Sequence, residues 1–177
     1  SSFEKAILLK PGYAEAYYNL GVAHQKLNHT NNALSCYERA ISIKHAYPQA
    51  HNNIGLLNIS LGDLDSAIES LEWAIEYSPN YAEAHNNLGA AFQERMLFDK
   101  AMDQYEKAVN INPNYVIALN NLGISSEILG LQDNAILNYE KAISIKSNFT
   151  EAHRNLSSIK KYTEKDSQAQ QMETLYL

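Results

Sequence analysis

The 177-residue sequence has one cysteine, seven glycines, four prolines and no long hydrophobic run. A lone cysteine, Cys36, excludes an intrachain disulfide framework and a cysteine-rich metal module. No stretch approaches the roughly eighteen consecutive apolar residues that a membrane-spanning helix needs. The N-terminus has neither a basic n-region nor an apolar h-region, so the expectation is a cytoplasmic chain with no membrane partner. Basic residues are the minority, 14 against 20 acidic for a formal charge of −6. That argues against a nucleic-acid partner, because counterion release needs clustered Lys and Arg. Glycine and proline are too scarce for a chain of short strands joined by turns. What is present is a 45% hydrophobic, 19% charged chain, which excludes wholesale disorder. It also has nineteen asparagines, more amides than a plain helical bundle requires.

The sequence is periodic. Asn80-Tyr81-Ala82-Glu83-Ala84-His85-Asn86-Asn87-Leu88-Gly89 echoes Gly12-Tyr13-Ala14-Glu15-Ala16-Tyr17-Tyr18-Asn19-Leu20-Gly21 at an offset of 68, twice 34. At a period of 34, Gly21, Gly55, Gly89 and Gly123 fall on one position, preceded by Leu20, Ile54, Leu88 and Leu122. Alanines recur at Ala33, Ala67, Ala101 and Ala135 and again at Ala40, Ala74, Ala108 and Ala142. Aromatic residues recur at Tyr13, Tyr47, Tyr81, Tyr115 and Phe149. Fixed-period self-similarity of this length is the signature of a repeat architecture.

Each unit reads as two helices joined by a short polar turn, such as Asn28-His29-Thr30-Asn31, with apolar residues at helical spacing. Asn80-x-x-Glu83 and Asn148-x-x-Glu151 resemble capping boxes. A glycine inside a helix costs about 1 kcal/mol relative to alanine. Its recurrence therefore implies close helix–helix approach, with Tyr37, Tyr105 and Tyr139 filling the larger gaps.

His85, Leu88-Gly89, Phe92, Ala101, Tyr105, Ala108 and Pro113 together resemble the tetratricopeptide repeat (TPR) pattern. The resemblance implies an all-α, right-handed superhelical solenoid of helix-turn-helix repeats. Residues 1–13 read as the second helix of a preceding partial repeat. Four repeats follow at 14–47, 48–81, 82–115 and 116–149, and 150–177 holds the first helix of a fifth plus a C-terminal capping helix. Leu71 replaces the second aromatic, and Asn58 and Ser126 replace the first, so packing is expected to be looser there.

The resemblance also implies that the first helix of each pair lines a concave groove. Counting from residue 14, repeat position 6 reads Asn19, Asn53, Asn87, Asn121 and Asn155, and position 5 adds Asn52, Asn86 and Asn120. Asparagine is a mediocre helix former, so this register calls for an explanation. An amide both donates and accepts, matching the backbone of an extended peptide. One reading is thus a ladder that holds a protein or peptide partner, similar to that of O-linked N-acetylglucosamine transferases. In the other, the amides bridge neighbouring helices and touch no ligand. Ile117, Ile124 and Ile128 share a helix face with Asn121. Ala90 on one side and Arg154 and Tyr162 on the other are expected to complete a pocket for a partner side chain.

Other signals read as structural. His51, His85 and His153 share position 4, but equivalent side chains on successive repeats lie on the order of 10 Å apart. Zinc needs ligands about 2 Å from one ion, so these are packing residues and no metal or other cofactor is expected. Cys36 reads as a small packing residue. The position-34 aromatics read as staples onto the preceding unit. Trp73 breaks the repeat pattern, either shielding Leu71 or marking a self-association surface. Val22, Leu56, Ala90, Ile124 and Ser158 occupy the place where TPR carboxylate clamps carry asparagine, which argues against capture of an acidic C-terminus. The expectation is a non-enzymatic scaffold. Two alternatives stand beside it: a substrate-recruiting region of a larger transferase, and a homo-oligomeric module stacking through its N-terminal end. The C-terminal run Lys160-Lys161-Tyr162 to Leu175 is also similar to the end of TPR regions in bacterial sulfotransferase-like proteins.

Overall fold

The computed structural model describes residues 2–160. They form α1 (Ser2–Leu9), α2 (Ala14–Lys26), α3 (Thr30–Ile43), α4 (Pro48–Leu61), α5 (Leu64–Tyr77), α6 (Ala82–Glu94), α7 (Phe98–Ile111), α8 (Val116–Ile128) and α9 (Gln132–Ile145). A last helical segment spans 150–160, and no strand occurs among the described residues. The capping helix expected after residue 160 lies outside them. The described residues divide into two compact units, before and after the step from Met96 to Leu97. In the first, α2 pairs with α3 and α4 with α5, while α1 packs on α2, α3 on α4 and α5 on α6. In the second, α8 pairs with α9 and packs on α7.

Side-chain volume explains the period. A Cβ added to Gly21 would lie 2.6 Å from Cε1 of Tyr37, and one added to Gly123 would lie 2.4 Å from Cε1 of Tyr139. The first helix therefore rests directly on the ring of the second. Ala33, Ala40, Ala135 and Ala142, the small residues beside those rings, are wholly buried. Where Leu71 replaces the tyrosine the gap does not open. Leu71 is wholly buried, and a Cβ on Gly55 would come within 2.5 Å of its Cγ. The expectation of looser packing there is corrected, because helix and side chain close on each other regardless of ring or branch. Asn58 and Ser126 are also buried, and the Ser126 hydroxyl donates to the Leu122 carbonyl at 2.8 Å.

The turns inside the repeats share one conformation. Asn28, Gly62, Met96 and Gly130, spaced by 34, all have φ between 58° and 78°. In three of them two bonds close the helix end: His29 N–H to His24 O at 2.9 Å with Asn28 N–H to Gln25 O, and the corresponding pairs from Asp63 and Gly62 and from Leu131 and Gly130. This is a Schellman arrangement, which favours glycine or asparagine at the left-handed residue. Met96 has neither advantage.

Helix starts differ from the capping-box expectation. The N-cap of α6 is Tyr81 and not Asn80, and its side chain makes no capping bond. Asp63 does cap α5, accepting from the Ser66 N–H at 3.2 Å and from the Ser66 hydroxyl at 2.8 Å. The position-34 aromatics act through their rings. Tyr47 is buried with Ala14, Ala40 and Ala50, its ring 5.0 Å from that of Tyr18, so it staples α4 onto the α2–α3 pair. Lys44 lies 4.6 Å over the Tyr47 ring, as Lys10 lies over Tyr13 and Lys146 over Phe149. The three-residue offset puts a cation on each aromatic face.

Candidate partner-binding face

The asparagines occupy the first helices. Nδ2 of Asn86 donates to Oδ1 of Asn87 at 3.3 Å, and Nδ2 of Asn87 donates to Oδ1 of Asn52 at 2.9 Å. Nδ2 of Asn52 then donates to Oδ1 of Asn53, and Nδ2 of Asn53 to the Tyr18 hydroxyl, both at 3.5 Å. The result is a directed chain of side-chain bonds across α6, α4 and α2. In the second unit Asn155 repeats the step, donating to Oδ1 of Asn120 at 3.1 Å. The inter-repeat bonds span 35 residues, one period plus one. Asn52 is wholly buried, and Asn86, Asn87 and Asn120 nearly so. A buried amide left unpaired costs about 1–3 kcal/mol, and in a low-dielectric setting linked bonds polarise one another. Oδ1 of Asn52 and of Asn120 is thus engaged by the following repeat, while Nδ2 of Asn86 bonds within its own helix. Asn53, Asn121 and Asn155 are half-buried, and Asn19 is exposed.

The period alone hides this geometry, because the bond joins position 6 of one repeat to position 5 of the repeat before. The signal available in the sequence was the doubling itself, Asn-Asn at 52–53, 86–87 and 120–121. Tyr18 was also missed as the hydroxyl that ends the chain.

Position 12 is tied down as well. The Tyr37 hydroxyl donates to Oε1 of Gln25 at 2.7 Å, and the Tyr139 hydroxyl donates to Oε2 of Glu127 at 3.1 Å. Burial pushes the Tyr37 phenol up to about 12, and burial followed by the Glu127 charge raises that of Tyr139. The repeat with Leu71 has Ile59 at position 12, packed against Leu71 and Leu88.

The isoleucines of α8 divide. Ile117 and Ile128 are half exposed to solvent, while Ile124 between them packs against the core around Leu119 and Tyr139. Arg154 is exposed and Ala90 half-buried. Ala90 belongs to the first unit and Ile124 to the second, and Tyr162 lies outside the described residues.

The position-4 histidines have one structural role. Nε2 of His51, His85 and His153 lies 2.9, 3.0 and 2.8 Å from the carbonyls of His45, Pro79 and Ser147. A carbonyl only accepts, so each ring donates from Nε2 and ties the first helix to the end of the preceding one. Desolvation lowers the His51 pKa, holding the ring neutral. Among the described residues no group of three or more His, Cys, Asp or Glu is placed to hold a metal ion. No described helix is long and apolar enough to cross a membrane.

Family models described as tetratricopeptide repeat match residues 14–47, 82–115 and 116–149, and one described as TPR repeat matches 58–95. The chain belongs to the tetratricopeptide repeat family. Its fold is accordingly that of all-helical TPR arrays. The crystal structure of MamA is similar, with 25% identity and a TM-score of 0.75 over 84% of this chain and 87% of that one. So is MamA 41-end from Desulfovibrio magneticus RS-1, at 18% identity and a TM-score of 0.74 over 83% of each chain. The APC/C hetero-tetramer Cut9-Hcn1 aligns over 89% of this chain but 32% of that one, at 19% identity and a TM-score of 0.81. No curated protein matches the chain. These structures carry the repeat fold. The narrower likeness to transferase repeats rests on the residues alone.

Proposed function

We propose that the chain is a non-enzymatic protein-interaction scaffold that receives an extended partner segment across its first helices. The observation that carries this reading is the pair Ile117 and Ile128, 51% and 50% exposed on α8 beside the asparagine row. Two β-branched apolar side chains eleven residues apart lie on the order of 16 Å apart along a helix. They offer an apolar footing for a segment with side chains at matching separation. The asparagines contribute in two ways. Within each unit, their inter-repeat bonds tie neighbouring first helices together. Each amide has two N–H groups and two lone pairs, so the half-buried Asn53 and Asn155 and the exposed Asn19 keep capacity toward a partner backbone. Arg154 adds an exposed cation beside Asn155 in the second unit.

Selection of extended peptides from a random displayed library tests the reading. Enriched peptides carry apolar residues and lose at least about tenfold in affinity on Ile117→Asn with Ile128→Asn. They also bind more weakly to Asn87→Ala with Asn121→Ala. Peptides that bind both double variants and the parent equally, with helicity intact, sink the proposal.

A further inference from the structure

A second surface lies on α5, apart from the first-helix face. Ala67, Leu71 and Ala74 bury one stripe of this helix, and Glu69, Glu72, Trp73 and Glu76 form another. Their spacing of three, four and seven residues aligns them on one side. Together they line a depression of about 400 Å³.

Trp73 is 41% exposed, an unusual setting for the only tryptophan in the chain. It does not shield Leu71, which Gly55 and its own cluster already cover. Instead the indole is held from behind. It stacks on Tyr77 with centroids 5.6 Å apart and planes 17° from parallel, and His45 meets it at 5.7 Å. His51 braces Tyr77 at 5.6 Å. The ring is therefore fixed in orientation with part of its surface left to solvent.

The charges on its own helix have one sign. α5 contains no Lys or Arg. Its Asp65 is paired with Arg95, whereas Glu69, Glu72 and Glu76 make no ion pair or side-chain hydrogen bond among the described residues. Three unpaired carboxylates around a fixed, exposed indole combine the two attractions that a cation above an aromatic ring uses, the quadrupole of the ring and opposite charge. A planar guanidinium fits better than an ammonium, since it stacks on the indole while its donors reach carboxylates on either side. An anionic or purely apolar partner would meet like charge or leave three carboxylates to be desolvated.

We propose that this face of α5 docks a basic protein segment by seating an arginine side chain on Trp73 between Glu69, Glu72 and Glu76. The lone tryptophan supplies the readout. An Arg-Gly repeat peptide, titrated at low salt, is expected to change Trp73 fluorescence saturably. A Lys-Gly peptide is expected to bind several-fold more weakly, and a Glu-Gly peptide to leave the signal unchanged. Glu72→Gln with Glu76→Gln is expected to weaken Arg-Gly binding at least about tenfold. Glu38→Gln with Glu106→Gln, the same charge change on α3 and α7, is expected to change it less than twofold. Trp73→Ala, followed by anisotropy of a labelled peptide and checked for helicity, is expected to lose about tenfold. Trp73→Phe retains part of the binding if Trp73→Ala disturbs the fold. Equal loss in both double variants means general attraction to an acidic chain and overturns the proposal. Undiminished binding to Trp73→Ala overturns it too, as does a fluorescence change that tracks protein concentration without peptide, which would mark self-association. Because none of these variants touches α8, failure here leaves the first-helix reading intact, and failure there leaves this one.

Discussion

The repeats 14–47 and 48–81 follow one period and solve the same packing problem with different chemistry. In the first, the Tyr37 ring lies against Gly21 and its hydroxyl reaches Gln25. In the second, Leu71 lies equally close to Gly55, and Ile59 stands where Gln25 would be. Repeat 116–149 follows the first pattern, with Tyr139, Gly123 and Glu127. A buried phenol needs an acceptor and a buried leucine needs none. The residue twelve positions earlier changes in step, and the pair, not the ring, is the unit that the repeat preserves.

Four experiments break or sharpen this comparison. The largest effect is expected at the apolar version. Leu71→Ala should cost about 2–5 kcal/mol in urea unfolding, because a wholly buried side chain leaves a cavity. Adding Gly55→Ala should recover part of that loss by filling the space that Leu71 vacates; a double variant no more stable than the single would contradict the close approach. Next comes the amide chain. Asn52→Ala should cost about 1–3 kcal/mol by orphaning buried bonding groups, and Asn155→Ala, at a half-buried end, should cost less.

The phenol version should depend on pH where the leucine version does not. The folded-state pKa of Tyr37 is raised by burial to about 12, above the value near 10 of an unfolded chain. The folded state then holds its proton longer, so this contribution is complete below about pH 10 and is lost as pH rises toward about 12. Tyr37→Phe should lower stability by about 0.5–1.5 kcal/mol at neutral pH and make the alkaline decline shallower. An identical decline in the variant would remove Tyr37 as its source. The smallest effect is at the turn. Met96 holds φ 59° without the freedom of Gly62 or Gly130, so Met96→Gly should raise the unfolding free energy in urea by about 0.5–1 kcal/mol.

Most of the fold was legible in the residues. The glycine and alanine positions, the two-helix unit and the stapling role of Tyr47 all follow from small and aromatic residues recurring at a set spacing. Other points were not. Asn80 has the composition of a cap, yet the chain enters α6 one residue later, with Tyr81 at the N-cap position. Leu71 suggested a gap because volume was compared side chain by side chain, while packing is settled by two elements closing together. The asparagine row was visible as a register but not as a circuit.

The sequence by itself determined the repeat, its 34-residue period, the all-helical class and the place of each helix, since these depend on local propensity and on which face is apolar. Only the tertiary structure decided that Asn87 reaches Asn52, that Ile124 turns inward while Ile117 and Ile128 stay outside, and that His45 of the preceding repeat meets Trp73. Those outcomes depend on how one repeat is rotated against the next. A rotation of a few degrees moves a side-chain atom by more than the tolerance of a hydrogen bond, and no local pattern encodes it.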